Sequence, residues 1–364
     1  MVAWGPNYYH QNDVPFTLTN AIAIAATYSN GLALRADGSL TSWGSEGGVP
    51  PALSNTTNLV AITAGGMHYL VLSADGVVDG IHSLGARSMM PADVFNATNI
   101  VAIGAGGFHN LVLKSDGTVR AWGGDGYYGQ TNVPAGLSNV TAIACGAYHS
   151  LALRADGTVV AWGAAGTFYD YGQSIVPAGL SGVVAIACGD LHSLALKADG
   201  SVVGWGAGGP GTSGWPNDGQ TTIPDSATYG VVAIAAGVSY SFALKSDGTV
   251  AAWGANYTAP TNLPASLSNV IAIASGPEAS AALAIVGSAP PACQVALASP
   301  SFGPDGFRVS LPTRSGRVYA LEYQNALSNG AWTALPLAAG KGCTLTLRDT
   351  TAAGTQRFYR VRQW

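Results

Sequence analysis

Four histidines, His68, His109, His149 and His192, each stand three residues after a glycine, and six aspartates, Asp37, Asp75, Asp116, Asp156, Asp199 and Asp247, each precede one. Imidazoles and carboxylates serve as general acids, general bases and metal ligands. Cys145, Cys188, Cys293 and Cys343 add thiols that can attack, ligate or cross-link. The spacing argues against catalysis, because these residues return about every 40 positions at one place in a repeated pattern. A residue that recurs in every unit serves the unit. No Gly-x-Ser-x-Gly, His-Glu-x-x-His, Cys-x-x-Cys or lysine-bearing phosphate loop is present. The chain is therefore expected to be no enzyme and to hold no metal or cofactor. His10 and His82 fall outside the register and are read as surface residues.

The period is set by Trp-Gly at Trp4, Trp43, Trp122, Trp162, Trp205 and Trp253, with Leu84-Gly85 once in its place, at intervals of 39, 41, 38, 40, 43 and 48 residues. Such self-similarity means a solenoid, a propeller or an array. Within one unit, Val140 to Gly163, apolar runs of four to six residues rich in Val, Ile and Leu are bounded by Gly or Asp-Gly. They predict three short strands in an antiparallel meander, with a tight hairpin at Asp-Gly where glycine accepts positive φ. No run predicts a helix. Seven first strands begin at Ile22, Val60, Val101, Thr141, Val184, Val232 and Ile271. The seventh unit lacks its own third strand, so Val2-Ala3-Trp4-Gly5 is expected to complete it and close a seven-bladed β-propeller, which removes unpaired edges.

The period stops at Gly287. Three parts follow: a propeller over 1–287, a linker over 288–292 rich in Pro and Ala, and a small antiparallel β-sandwich over 293–364 with alternating runs such as Arg317-Val318-Tyr319-Ala320-Leu321. Residues 1–287 hold 7 Lys+Arg against 16 Asp+Glu, a net of −9, and residues 288–364 hold 8 against 3, a net of +5. The acidic repeat region opposes nucleic-acid binding. No apolar run reaches the 18 or more residues of a membrane span. The first residues read as a strand, so no signal peptide is expected among them. Cys293 and Cys343 bracket the small domain, where a disulfide or two free thiols both fit. Cys145 and Cys188 hold equivalent places in neighbouring units, and whether they bridge stays open. Paired cysteines and sparse lysine favour a secreted or cell-surface home.

The string Gly-x-x-His-Ser-Leu-Ala-Leu-Lys-x-Asp-Gly-x-Val-x-Ala-Trp-Gly, followed by Gly-Gln-x-x-Val-Pro, resembles the repeat of the regulator of chromosome condensation family. The form at 129–140 and 219–232 is closest to a bacterial branch that includes secreted beta-lactamase inhibitors of the second type. The resemblance implies a seven-bladed propeller that presents loops to a partner protein, with beta-lactamase inhibition a special case. Two units depart from it: the second has Asp79-Gly80-Ile81-His82-Ser83-Leu84, and the seventh has Gly276-Pro277-Glu278-Ala279. The C-terminal region resembles modules of exported bacterial proteins.

In a meander, the Gly-x-x-His turns and the stretches after Trp-Gly share one face, and the Asp-Gly turns lie on the other. The Asp-Gly face reads as a ring of local charge pairs, because Arg35, Lys114, Arg154, Lys197 and Lys245 each stand two residues before an aspartate. The opposite face collects aromatics, with Tyr28, Met67 and Tyr240 at its short turns. Tyr8, Tyr9, Phe108, Tyr127, Tyr128, Tyr148, Phe168, Tyr169, Tyr171, Trp215 and Tyr257 are the candidate partner-binding residues, since large rigid rings supply contact area at low entropic cost. The partner is expected to be an unidentified protein bound by a monomeric chain. A glycan stacked on the same rings is the alternative.

Overall fold

The computed structural model describes residues 1–45, 53, 56–81, 90–124, 126–209, 216–255, 260–279, 281–287, 298–303, 306–312, 318–324, 333–335, 338–339, 344–351 and 357–363. His82, Trp215, Tyr257, Cys293 and Cys343, and the whole expected linker, lie outside them. Strands dominate the described residues. One helical turn at Ala92–Phe95 and one 3-10 turn at Asp225–Ala227 interrupt connecting segments where no helix is predicted.

Each unit forms its own three-stranded antiparallel sheet, and none of these sheets closes on itself. First strands run over Ala21–Ala26, Leu59–Ala64, Ile100–Ala105, Val140–Cys145, Val183–Cys188, Val231–Ala236 and Val270–Ala274. The N-terminal Val2–Trp4 pairs with Ala282–Val286 and supplies the third strand of the seventh sheet. Each first strand packs beside the next, and Ala21–Ala26 also packs beside Val270–Ala274. Small and β-branched residues at 24–26, 62–64, 103–105, 143–145, 187–188, 234–236 and 273–277 surround a central space of about 240 Å³. Cys145 and Cys188 line it as free, buried thiols, and burial pushes both up in pKa.

The Asp-Gly hairpins form as predicted, with φ between +78° and +82° at Gly38, Gly76, Gly117, Gly157, Gly200 and Gly248. Among the described residues most of the predicted charge pairs do not close to contact, although each cation still lowers the pKa of its aspartate. Thr118 N–H and Oγ1 donate to Asp116 Oδ1 at 2.9 and 2.6 Å, and the same two bonds recur at Asp37, Asp156, Asp199 and Asp247. These aspartates close the turn through an Asx-type bond, which competes for their lone pairs. Of the expected local pairs, Lys197 and Asp199 approach to 3.4 Å, while Lys114 turns to Asp93 and Arg35 donates to Thr41.

The unit-forming tryptophans are buried between sheets, and the indoles of Trp4, Trp43, Trp162, Trp205 and Trp253 each find an acceptor on the segment arriving from the preceding unit. Trp43 donates to Gln11 O, Trp162 to Gln130 O, Trp205 to Gln173 O and Trp253 to Gln220 O at 2.8 to 2.9 Å, and Trp4 to Pro260 O at 2.7 Å. The histidines serve the fold by reaching from their turns into the next sheet. His109, His149 and His192 donate from Nε2 to Ser150, Ser193 and Ser241 at 2.8, 2.9 and 3.0 Å, and His68 donates to Asn110 Oδ1 at 2.7 Å. Each serine passes its own proton to the same glutamine carbonyl that the tryptophan uses. Tyr240 takes the histidine's place in the sixth unit; it is buried and donates to Ala279 O at 2.7 Å, so it is no surface aromatic.

Beyond residue 297, Ala298–Gly303, Gly306–Pro312 and Thr344–Asp349 form one antiparallel sheet, and Val318–Gln324 pairs with Thr333–Ala334, Ala338–Ala339 and Phe358–Gln363 in another. Phe307, Val309, Leu311, Tyr319, Leu321 and Leu347 from both sheets share one apolar cluster. Asp349 is buried, paired with Arg357 and accepting from Tyr359 Oη at 3.0 Å.

Candidate functional site

The third strand of each unit ends on the face where the first-to-second-strand turns lie, so the loops after Trp-Gly and the Gly-x-x-His turns meet there. Glutamine makes that meeting rigid. Gln173 is fully buried; its Nε2 donates to Tyr169 O at 2.6 Å and its Oε1 accepts from Tyr171 N at 2.8 Å. Gln220 repeats the arrangement with Pro216 O and Asp218 N, and Gln11 accepts from Tyr9 N. One motif side chain thus folds the loop, while its backbone carbonyl locks the tryptophan and serine of the unit that follows.

Six of the eleven expected rings come together. Tyr148 and Tyr169 stack at 4.2 Å with planes 8° apart, and Tyr128 meets both edge-on at 4.7 and 5.6 Å. Phe108, Tyr127 and Phe168 extend the group at 5.7, 5.1 and 5.3 Å. The edge-on contacts of Tyr128 with Tyr127, Tyr148 and Tyr169, and of Phe168 with Tyr169, are the favoured ones for aromatic quadrupoles. Its rim is open to solvent: Phe108 is 49% exposed, Tyr127 75% and Phe168 79%. Tyr9 pairs separately with Tyr28 at 5.5 Å. Tyr8 is exposed, Tyr171 is half-buried, and neither touches another ring among the described residues. Met67, at the second unit's turn, is exposed on the same face. Trp215 and Tyr257 lie outside the described residues.

Two acids that the sequence reading leaves unassigned sit beside this cluster. Glu278 adopts φ +65°, and its N–H donates to Asp190 Oδ1 at 2.6 Å across 88 residues. Its carboxylate reaches the turns of the second and third units: a Cβ on Gly107 would stand 2.5 Å from Glu278 Oε1, and one on Gly66 would collide with Oε2. Burial raises the Glu278 carboxyl, and burial together with the Glu278 charge raises Asp190 to about 7 despite the bond from the Glu278 N–H. Burial, with the neighbouring hydroxyl of Tyr169 and the Glu278 charge, pushes the Tyr148 phenol upward. The signal for Glu278 is its departure from the histidine motif, which by itself says nothing of where the carboxylate points.

Among the described residues no group of three His, Cys, Asp or Glu side chains could hold a metal ion, and no helix is long and apolar enough to cross a membrane. No curated protein matches the chain in sequence. In fold it is similar to Prp20p from Saccharomyces cerevisiae, a protein described with its binding to Gsp1p and histones, at a TM-score of 0.58 and 18% identity over 78% of this chain and 90% of that one. Yeast RCC1 (Prp20) in complex with Kap60 is similar at 0.57 and 18% over 79% and 88%, and human WBSCR16 at 0.55 and 18% over 73% and 86%. Residues 100–130, 140–173, 183–211 and 231–257 match the model of the Regulator of chromosome condensation (RCC1) repeat. The repeat region is thus an all-β array in which four stretches match the RCC1 repeat, and its fold is similar to that of RCC1-like propellers.

Proposed function

We propose that the chain is a non-enzymatic binding protein that presents the aromatic face of a seven-bladed propeller, closed by its N-terminal strand, to a partner protein. The interlocked cluster from Phe108 to Tyr169 carries this reading. Its rings come from two loops and two turns of successive units, are held by one another and, in the Tyr169 loop, by buried Gln173, and still expose their outer members. Preorganised, half-exposed rings of this kind lose little entropy on binding. Closure of the ring is supported by the pairing of Val2–Trp4 with Ala282–Val286 and by the packing of the seventh first strand beside the first. The shared apolar cluster beyond residue 297 supports a small β-sandwich appended to the propeller. A secreted bacterial protein is the setting we favour, on sparse lysine and on the resemblance of the repeat, and inhibition of a beta-lactamase is one form of the activity.

A pull-down from the native secretome, run beside a variant carrying Tyr128→Ala, Tyr148→Ala and Tyr169→Ala, tests the reading. Partners lost with the variant support it, and equal recovery by both proteins overturns it. A glycan array with hits sensitive to the same substitutions would move the reading to carbohydrate recognition.

A further inference from the structure

The two ends of the repeat region differ in charge. On the aromatic face the described ionisable groups, the tyrosines and the buried turn histidines His68, His109, His149 and His192 aside, are Asp13, Asp170, Asp190, Asp218 and Glu278, with His10 held 2.7 Å from Asp13. The described cations of residues 1–287, Arg35, Lys114, Arg120, Arg154, Lys197 and Lys245, all lie at the Asp-Gly end or on the strand leaving it. The chain also departs toward the basic C-terminal region from that end, because Val286 follows a strand running away from the aromatic face and Gly287 N–H bonds Asn269 O. An acidic aromatic surface is thus left with no lysine or arginine among the described residues.

At its centre the arrangement is specific. Glu278 crosses from the seventh sheet to the glycine turns of the second and third, anchored by its N–H on Asp190 in the fifth. Gly66 and Gly107 spend their own N–H groups on Gly106 O and Gly146 O, at 3.2 and 3.1 Å. Among the described residues neither Glu278 nor Asp190 has an ion-pair partner. A non-glycine residue at φ +65° is costly and persists where surroundings over-determine it, often at ligand clamps. Phe108 follows Gly107 directly, and Tyr148 feels the Glu278 charge.

We propose that this face binds its partner protein through a lysine or arginine side chain seated over Glu278 and flanked by Tyr148 and Phe108. The inference rests on the protein-binding reading and names what the partner must carry. The carboxylate meets the charge, and the ring faces attract a cation that has left water. A carboxylate already stripped of part of its hydration and lacking a counter-ion gains most from one. The acidic surroundings favour approach of a basic surface and disfavour an acidic one.

The test pans a phage-displayed dodecapeptide library against the immobilised full chain and titrates the enriched peptides, dye-labelled, by fluorescence polarisation. The expected peptides share a Lys or Arg whose change to Gln weakens binding about tenfold or more, as do Glu278→Gln and Asp190→Asn in the protein, with the loss shrinking at high salt. Both substitutions keep size and shape, melting curves verify folding, and the peptide-side change needs no altered protein. Peptides that require Tyr148 yet bind Glu278→Gln and Asp190→Asn as tightly as the parent overturn the inference and leave the binding face standing. Peptides indifferent to Tyr148→Ala and Tyr169→Ala overturn both.

Discussion

His149 Nε2 lies 2.9 Å from Ser193 Oγ, a residue 44 positions later and in the next sheet, and Ser193 donates onward to Gln173 O at 3.0 Å. Because the serine's proton is committed to a carbonyl, the imidazole must carry its hydrogen on Nε2. One polar chain thereby joins two units and the loop between them.

Ser193→Ala leaves that imidazole N–H buried without an acceptor, which costs about 1–3 kcal/mol. His149→Ala costs about as much or more through the cavity it opens. The pair should be less than additive, because each change removes the same bond. Chemical denaturation of the two single variants and the double variant measures this; strictly additive losses would contradict the coupling.

Acid should weaken the repeat region through the same histidines. Burial holds His109, His149 and His192 at about 3, well below the ordinary 6.5. Between those values the unfolded chain binds protons that the folded chain refuses, so stability is present above about pH 6.5 and is lost as pH falls toward 3. The turn aspartates, depressed by their Ser and Thr bonds, add a loss in the same direction below about 3.8. Melting temperature should therefore fall from pH 7.5 to pH 5, and His149→Gln should flatten that slope while lowering the value at pH 7.5.

Asp190 works against this trend. Its carboxyl titrates at about 7 folded against 3.8 unfolded, so the folded state holds the extra proton between them and its contribution declines as pH rises through that window. Asp190→Asn keeps an acceptor for the Glu278 N–H and removes the charge. The variant should gain melting temperature over the parent at pH 8 and lose that gain at pH 4.

Gly146→Ala tests the turn. A Cβ there would overlap the His149 ring and stand 2.7 Å from Gly189 O, and the ring cannot withdraw without breaking its bond to Ser193. Overpacking of this kind costs about 1–3 kcal/mol. The sharper reading is a loss of the Tyr148 ring cluster, seen as a changed near-ultraviolet circular dichroism signal before unfolding.

Gln173→Ala should separate loop order from fold. Two loop bonds vanish, while Gln173 O, a backbone atom, still accepts from Trp205 and Ser193. Partner binding through Tyr169 should weaken by about tenfold, with a smaller fractional change in melting temperature than Ser193→Ala causes.

Strand positions, hairpins and the role of Val2–Trp4 were legible because apolar runs between Asp-Gly turns have few alternatives, and the repeat averages away local ambiguity. Partner choice across sheets was not. Nothing in Gly-x-x-His says whether the imidazole bonds its own turn or a serine 41 to 49 residues away, since that depends on the angle at which sheets pack. Tyr240 shows the same limit, for an aromatic in a turn reads as exposed until its register with the histidines is used. The charge spacing of Arg35 and Asp37 misled in a third way: the carboxylate prefers a backbone N–H and a hydroxyl two residues on to a solvated cation. Composition drew attention to these rings but could not show that Tyr8 and Tyr171 stand apart from the stack.

From glutamine to the tryptophan it anchors, the chain always takes 32 or 33 residues, at Gln11–Trp43, Gln130–Trp162, Gln173–Trp205 and Gln220–Trp253. From each tryptophan to the next glutamine it takes 7 residues after Trp4, 8 after Trp122, 11 after Trp162 and 15 after Trp205. In these four stretches the variation in length is therefore confined to cassettes on one face, each entered at an indole and left at a glutamine. Such a chain can exchange one cassette for another of different length and leave the seams untouched, much as an antibody framework accepts new hypervariable loops, so recognition can diverge while the scaffold stays constant.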